Sequence, residues 1–126
     1  MIIVFDSTIL VDESRNYLPA VKLVEKVAKK EIEGYISGVT EGEILSGKEC
    51  KKEDVLQKTL DILYLFTKIE VDNKILQKAA EFRRNYDVSL LDSIIAATAF
   101  YQNCKVWTKN KRDFEKVKEI EVEEPY

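Results

Sequence analysis

The sequence predicts an α/β fold, a parallel sheet with helices on both faces. Short apolar runs alternate with longer segments in which apolar residues recur at helical spacing, and this alternation is typical of parallel α/β sheets. The chain has 126 residues, a length that suits one domain, and its 45% hydrophobic content is enough for one core. We therefore expect residues 1–126 to form a single domain.

The first half of the chain predicts two strands and three helices. Residues 2–5 are an apolar run that ends at Asp6, as expected of a strand buried on both faces. A helix is predicted over residues 19–30, where apolar side chains return every three or four positions. The other elements of this half are a strand over residues 34–37, a helix from residue 41 to about 48, and a helix over residues 52–66.

The second half predicts three strands and three helical segments. The most apolar helix runs from Leu90 to about Gln102. The other segments are a short strand over residues 68–71, a helix around residues 75–82, a strand over residues 105–108, a helical turn over residues 114–117, and a last strand over residues 120–122.

Composition restricts the chemistry of any active site. The chain contains no histidine, which removes the most common general base and histidine-ligated zinc. Cys50 and Cys104 are far apart and lack metal-ligand spacing, so we interpret them as reduced, partly buried thiols. The net charge is −3, so any nucleic-acid binding must come from local patches. Catalysis must then use carboxylates, hydroxyls, lysines or a hard cation.

The cellular compartment is predicted from hydropathy. No apolar run is long enough to span a membrane, and the apolar start of the chain ends at Asp6, too early for a signal peptide. We therefore expect a cytoplasmic protein that does not contact membranes.

Four acidic residues each follow a predicted strand or loop where a helix is expected to begin. They are Asp6, Glu43, Asp92 and Asp113. Helices that follow parallel strands begin at one edge of the sheet, so these four carboxylates are expected to converge there. Converging carboxylates repel one another unless a cation lies between them. Oxygen ligands without histidine suit Mg²⁺ or Mn²⁺.

Helix capping is the alternative explanation of the same residues. Thr40, Ser89 and Asn110 each stand three residues before an acid, which is the pattern of the capping box or close to it. Asp6 could itself cap a helix. Residue spacing leaves the capping and metal-binding interpretations open.

At these acids the chain resembles the PIN-domain nucleases, and most closely the VapC-type toxins of prokaryotic toxin–antitoxin pairs. The resemblance rests on four segments in the same order, which together span nearly the whole chain. They are VFDSTIL (residues 4–10), ISGVTEGEILSG (residues 36–47), LLDSIIAATA (residues 90–99) and VWTKNKRDF (residues 106–114).

The resemblance implies a five-stranded parallel sheet and a metal-dependent endoribonuclease that uses Mg²⁺ or Mn²⁺. The catalytic, metal-ligating acids implied are Asp6, Glu43, Asp92 and Asp113. The supporting polar residues implied are Thr8, and Thr108 or Asn110. Water activated by the metal would attack the RNA phosphodiester, leaving 5′-phosphate and 3′-hydroxyl ends.

The chain departs from the family pattern at three positions. Leu91 replaces a common proline, and Ser93 replaces a common alanine. Glu41 adds a carboxylate two residues before Glu43. We prefer Glu43 as the ligand because the segment ILSG follows it in the family's register, and Glu41 remains a possible substitute.

The resemblance also implies an RNA substrate, a cognate antitoxin protein and a homodimer. Residues 60–66 are almost apolar throughout, which indicates either a subunit contact or deep burial in the monomer. Two groups of basic residues are candidates for phosphate binding, Lys48, Lys51 and Lys52, and Lys109, Lys111 and Arg112. For Trp107 we expect core packing rather than base stacking. The alternative function is a catalytically silent PIN-like module that binds RNA or acts as a scaffold.

Overall fold

The computed structural model describes residues 1–126 as a five-stranded sheet with helices packed on both faces. The strands are β1 (Ile2–Phe5), β2 (Glu33–Ser37), β3 (Thr67–Ile69), β4 (Lys105–Trp107) and β5 (Val122–Glu123). Their order in the sheet is β3-β2-β1-β4-β5, and every neighbouring pair is parallel. The predicted α/β fold and its five-stranded parallel sheet are therefore confirmed.

Seven α-helices connect the strands, with a short 3₁₀ helix at Lys48–Lys51. They are α1 (Ser7–Ser14), α2 (Leu18–Ala28), α3 (Gly38–Leu45), α4 (Glu53–Leu63), α5 (Asn73–Tyr86), α6 (Leu90–Gln102) and α7 (Lys111–Phe114). The sequence did not predict α1, because only Ile9 and Leu10 of its eight residues are buried and they form no repeating apolar stripe.

Helices α2, α4 and α5 differ from their predicted bounds by a few residues at one or both ends, and the differences in α3 and α7 affect the candidate acids. Helix α3 begins at Gly38 rather than residue 41, and its N-cap is Ser37, whose hydroxyl accepts a 3.2 Å hydrogen bond from the Val39 N–H. Thr40 is therefore inside the helix, and the capping-box interpretation of Thr40 and Glu43 is wrong. Helix α7 ends at Phe114, where the predicted turn over residues 114–117 was to begin.

The core has two parts, one on each face of the sheet. Val4 of β1 packs on one side with α5 and α6. Its neighbours Ile3 and Phe5 pack on the other side with α1, α2 and α4. This alternation buries β1 on both faces, as its continuous apolar sequence predicts.

Trp107 belongs to this core. Its ring centroid lies 5.4 Å from that of Phe5, and its indole Nε1 donates a 2.7 Å hydrogen bond to Glu123. The side chain is almost fully buried, so core packing is confirmed and stacking on a base is excluded for this conformation.

The apolar stretch at residues 60–66 is divided between core and surface. Leu63 and Phe66 are buried, whereas Tyr64 is 79% exposed and Leu65 is 39% exposed. Part of the stretch is therefore explained by burial in the monomer, and the exposed pair remains available for a contact. Both cysteines are free and partly buried, as predicted. No helix in the structure is both long and apolar enough to span a membrane.

Candidate metal-dependent active site

The site lies at the carboxyl edge of the three central strands. Asp6 directly follows β1, and Thr108 directly follows β4. Strand β1 lies between β2 and β4, so α1, α3 and the loop after β4 begin next to one another. The amino-terminal part of α6 brings Asp92 to the same group, as its interaction with Asp6 indicates. The sheet order therefore explains why residues distant in sequence meet here.

Asp6 is the buried centre of the site, with 3% of its surface exposed. Its Oδ2 accepts hydrogen bonds from the hydroxyls of Thr8 at 2.9 Å and Thr108 at 2.8 Å. Its Oδ1 accepts no protein hydrogen bond. Although Asp6 precedes α1, its side chain makes no capping hydrogen bond, so the capping interpretation of this residue is wrong.

A second layer of hydrogen bonds extends from Asp6 to Asp113. The Lys109 N–H donates to Thr8 Oγ1 at 3.0 Å, and the Asn110 N–H donates to Thr108 Oγ1 at 2.8 Å. The Asn110 amide Nδ2 then donates to Asp113 Oδ2 at 2.8 Å. The polar residues that the resemblance implied thus form one continuous network between two of the acids.

Glu43 and Asp92 interact electrostatically with Asp6. Partial burial, followed by the Asp6 and Asp92 carboxylates, raises the pKa of Glu43, and the Ser7 hydroxyl opposes this rise. Burial, followed by Asp6, raises the pKa of Asp92, and Asp113 contributes in the same direction. Glu43 and Asp92 are therefore close enough to other acids of the group to be repelled by them, which favours the protonated forms of these two residues.

The structure distinguishes the two carboxylates of α3. Glu41 forms an ion pair with Lys68 of β3, with a distance of 3.2 Å between Nζ and Oε1. Glu43 instead interacts with Asp6 and Asp92. Glu41 and Glu43 are two residues apart on the helix, so their side chains point in different directions. Only the Glu43 side chain lies with the other acids.

The four acids do not form a closed ligand cage. No three acidic or thiol side chains are close enough together to hold a metal ion in this arrangement. Two of the four acids are open to solvent. Glu43 is exposed, and the Asp113 side chain is 44% exposed, with Lys116 Nζ 3.9 Å from its Oδ1. Asp92 keeps part of its predicted capping role, because its N–H donates to Ser89 Oγ at 3.1 Å.

The sequence analysis gave no role at the site to three hydroxyls on the helices that follow or contain these acids. Ser7 precedes Thr8 and influences Glu43. Thr40 and Ser93 are fully buried, and theirs are the two buried side-chain polar atoms that lack a hydrogen-bond partner. Thr40 lies in α3, the helix of Glu43, and Ser93 directly follows Asp92 in α6. Only their closeness to the acids in sequence could have indicated them.

The basic residues near the site differ in availability. Lys111 and Arg112 are exposed beside Asp113, and Lys48, Lys51 and Lys52 are exposed beyond α3. The Lys109 ammonium is already paired with Glu124 at 2.8 Å and with a main-chain oxygen of Tyr126. Lys109 is therefore less available to a phosphate than the other five basic residues, and phosphate binding by either group stays a prediction.

Comparison with known proteins gives consistent matches. A family model described as PIN domain matches residues 3–120. Ribonuclease VapC2 of Methanocaldococcus jannaschii is 29% identical over 95% of this chain and 91% of its own. Ribonuclease VapC1 of the same organism is 31% identical over 86% of this chain and 85% of its own. A toxin-antitoxin complex from Klebsiella pneumoniae contains a chain with TM-score 0.81 and 28% identity, and the match covers 98% of this chain and 97% of that one.

Proposed function

The chain belongs to the PIN domain family, in which its relatives are VapC ribonucleases, and we propose that it is a metal-dependent endoribonuclease. The observation that supports this proposal most is that Asp6, buried at the carboxyl edge of the sheet, lies close enough to Glu43 and Asp92 to raise the pKa of both. Mutually repelling carboxylates at a ligand-binding edge favour a function that needs them together over a purely structural one.

The residues at this edge fit Mg²⁺ or Mn²⁺. Every available donor is an oxygen atom, and the chain has no histidine, which is the ligand chemistry of a hard cation. Mg²⁺ commonly retains several waters and takes only one or two protein carboxylates directly, so some of the four acids would contact the ion itself and the others would contact its waters.

Each residue has a separate role in the proposed reaction. When bound, the divalent ion would offset the phosphodiester charge and lower the pKa of the attacking water. Thr8 and Thr108 hold Asp6 by Oδ2, which leaves Oδ1 free to act as a ligand. Asn110 orients Asp113. Water would attack and the 3′-hydroxyl would leave, so no protein nucleophile is required.

We also propose an antitoxin partner and a homodimer. The antitoxin is supported by the toxin-antitoxin complex that contains the similar Klebsiella pneumoniae chain. The homodimer is supported by the exposed Tyr64 and Leu65 at the end of α4. The proposed site of action is the cytoplasm, where both RNA and a newly made antitoxin are available.

The test is cleavage of a labelled RNA by the purified protein with Mg²⁺, with Mn²⁺ and with EDTA. We expect cleavage that depends on the metal and yields 5′-phosphate ends. Asp6→Asn should fold and lose cleavage, because it removes a ligand charge while preserving the side chain's shape. RNA binding without cleavage in any metal would favour the silent binding module, and full cleavage in EDTA would exclude the metal mechanism.

A further inference from the structure

Tyr126 connects two elements that also meet at the active site. Its hydroxyl donates a 2.7 Å hydrogen bond to Asp12 Oδ2 of α1, and its ring lies 5.6 Å from that of Tyr17. Burial, followed by the hydrogen bond to Asp12, raises the pKa of Tyr126, so the phenol stays protonated and able to donate to well above neutral pH. Tyr126 is therefore fixed to the helix that begins beside Asp6.

The same residue holds the side chain of Lys109. The Lys109 Nζ lies 4.4 Å from the centre of the Tyr126 ring and donates to a main-chain oxygen of Tyr126. Glu124 provides a third contact at 2.8 Å. A cation that lies above an aromatic face, donates a hydrogen bond to one oxygen and pairs with a carboxylate has few other conformations available. We call Tyr126, Asp12, Glu124 and the Lys109 side chain the Tyr126 clamp.

Lys109 connects the clamp to the acids through its backbone. Its N–H donates to Thr8 Oγ1 at 3.0 Å, and Thr8 Oγ1 donates to Asp6 Oδ2 at 2.9 Å. Thr8 and Asp12 are four residues apart in α1, so they lie on the same face of the helix. The loop after β4 is thus held to that face twice, by Thr8 next to the site and by the clamp one turn away.

We propose that Tyr126 is a positioning residue for the active site, acting through Lys109 and Thr8 to hold Asp6 ready for a metal ion. This inference rests on the proposed function. The loop that it holds also contains Thr108 and Asn110, the residues that fix Asp6 and Asp113. Loosening the clamp is expected to release both carboxylates. The Tyr126 ring also packs against the core on this face of the sheet, so a variant that keeps the ring and loses only the hydroxyl separates the two contributions.

The test uses Tyr126→Phe, which removes only the hydrogen bond to Asp12, and Tyr126→Ala, which removes the whole clamp contact. The matched control is Tyr86→Phe, since Tyr86 also donates to a carboxylate, that of Glu119. Tyr86 packs against the core on the other face of the sheet. The readouts are the Mn²⁺ concentration that gives half of the thermal stabilisation, and kcat and KM for RNA cleavage.

We expect the Mn²⁺ midpoint to rise about threefold in Tyr126→Phe and about tenfold in Tyr126→Ala. Residues that orient a metal ligand directly typically change metal affinity by about 10- to 100-fold, and Tyr126 acts less directly, so its effects should lie at or below the lower end of that range. At a fixed subsaturating Mn²⁺ concentration, kcat should fall in proportion while KM stays within about twofold. Asp12→Asn should match Tyr126→Phe, because both variants break the same hydrogen bond. Lys109→Met, which removes the cation from the clamp, should raise the Mn²⁺ midpoint about as much as Tyr126→Ala, and Lys109→Arg, which keeps the cation, should raise it less.

Different failures identify different errors. A Tyr126→Ala protein that melts at a lower temperature in EDTA but has the wild-type Mn²⁺ midpoint would show that Tyr126 has a purely structural role. That result would overturn this inference and leave the proposed function intact. A lower KM in Tyr126→Ala would mean that the clamp restrains a phosphate-binding lysine, which would also overturn it. A wild-type protein that neither cleaves RNA nor is stabilised by Mn²⁺ would overturn the proposed function, and this inference with it.

Discussion

Thr108 donates a 2.8 Å hydrogen bond to Oδ2 of Asp6, across 102 positions of the chain. The two residues meet because β1 and β4 are parallel neighbours, with Phe5 paired to Trp107, so the residues that follow them are side by side. The buried carboxylate that we propose as a metal ligand is therefore oriented by the end of another strand.

We expect Thr108→Val to weaken the site without unfolding the domain. Valine keeps the branched shape but loses the hydroxyl, and a hydrogen bond to a charged group contributes about 1.5–3 kcal/mol. Metal affinity or RNA cleavage should fall about 10- to 100-fold, as for other residues that orient ligands. Thr98→Val is the matched control, since Thr98 is also buried but bonds only the Ile94 carbonyl in α6. A cleavage rate equal to that of Thr98→Val would contradict the role of Thr108.

Glu41 and Glu43 provide a comparison within one helix. Glu43→Gln should reduce RNA cleavage by more than about 100-fold, beyond the effect of residues that merely orient ligands. Glu41→Gln should leave cleavage unchanged and lose only the partly exposed ion pair with Lys68, a contribution of about 0–1 kcal/mol. The measurement is the initial rate of RNA cleavage by each variant at saturating Mn²⁺. The reverse pattern would make Glu41 the ligand.

The pH dependence of stability tests the repulsion among the acids. Burial and the Asp6 carboxylate raise the pKa of Asp92 in the folded protein. The stability linked to this raised pKa is present below the unfolded pKa of about 3.9 and is lost as pH rises through the folded pKa. Asp92→Asn does not undergo this loss, so in EDTA its free energy of unfolding relative to wild type should increase from about pH 4 to pH 7. Urea melts measure this difference, and a difference independent of pH would contradict the repulsion.

Oligomeric state tests the exposed end of α4. We expect light scattering to show a dimer for the wild type and a monomer for Tyr64→Glu, because a charge at the 79% exposed Tyr64 would be buried at the interface. Leu18→Glu, at a position 59% exposed in α2, is the control and should remain dimeric. A wild-type monomer at high micromolar concentration would exclude the dimer. A dimeric Tyr64→Glu would assign the contact to another surface.

The sequence predicted the architecture well because local patterns determine it. The bounds of α6 agree with the prediction, since its long apolar segment begins after the capping Ser89 and ends before Asn103, whose backbone is left-handed. Helix α7 was misplaced because four residues are too few for any periodicity to emerge.

The site was predictable only in part, since its details depend on long-range contacts. The acids follow strands, and the carboxyl edge of a parallel sheet brings such residues together. The choice between Glu41 and Glu43 depends on Lys68, 27 residues beyond Glu41. Nothing in the local sequence pattern indicates that the Lys109 side chain contacts Tyr126, which is 17 residues away. Neither relationship can be derived from helix periodicity or spacing.

The most direct test of the metal site is a set of thermal melts of wild type, Asp92→Asn and Asp54→Asn, each in EDTA and in Mn²⁺. Asp54 is a matched control because it is an acid in the first turn of α4, where it has the same relation to the helix dipole but lies outside the site. We expect Mn²⁺ to stabilise wild type and Asp54→Asn by about 2.7 kcal/mol at a hundredfold excess over its Kd, and Asp92→Asn by much less. Equal stabilisation of all three proteins would contradict the assignment of Asp92 as a metal ligand.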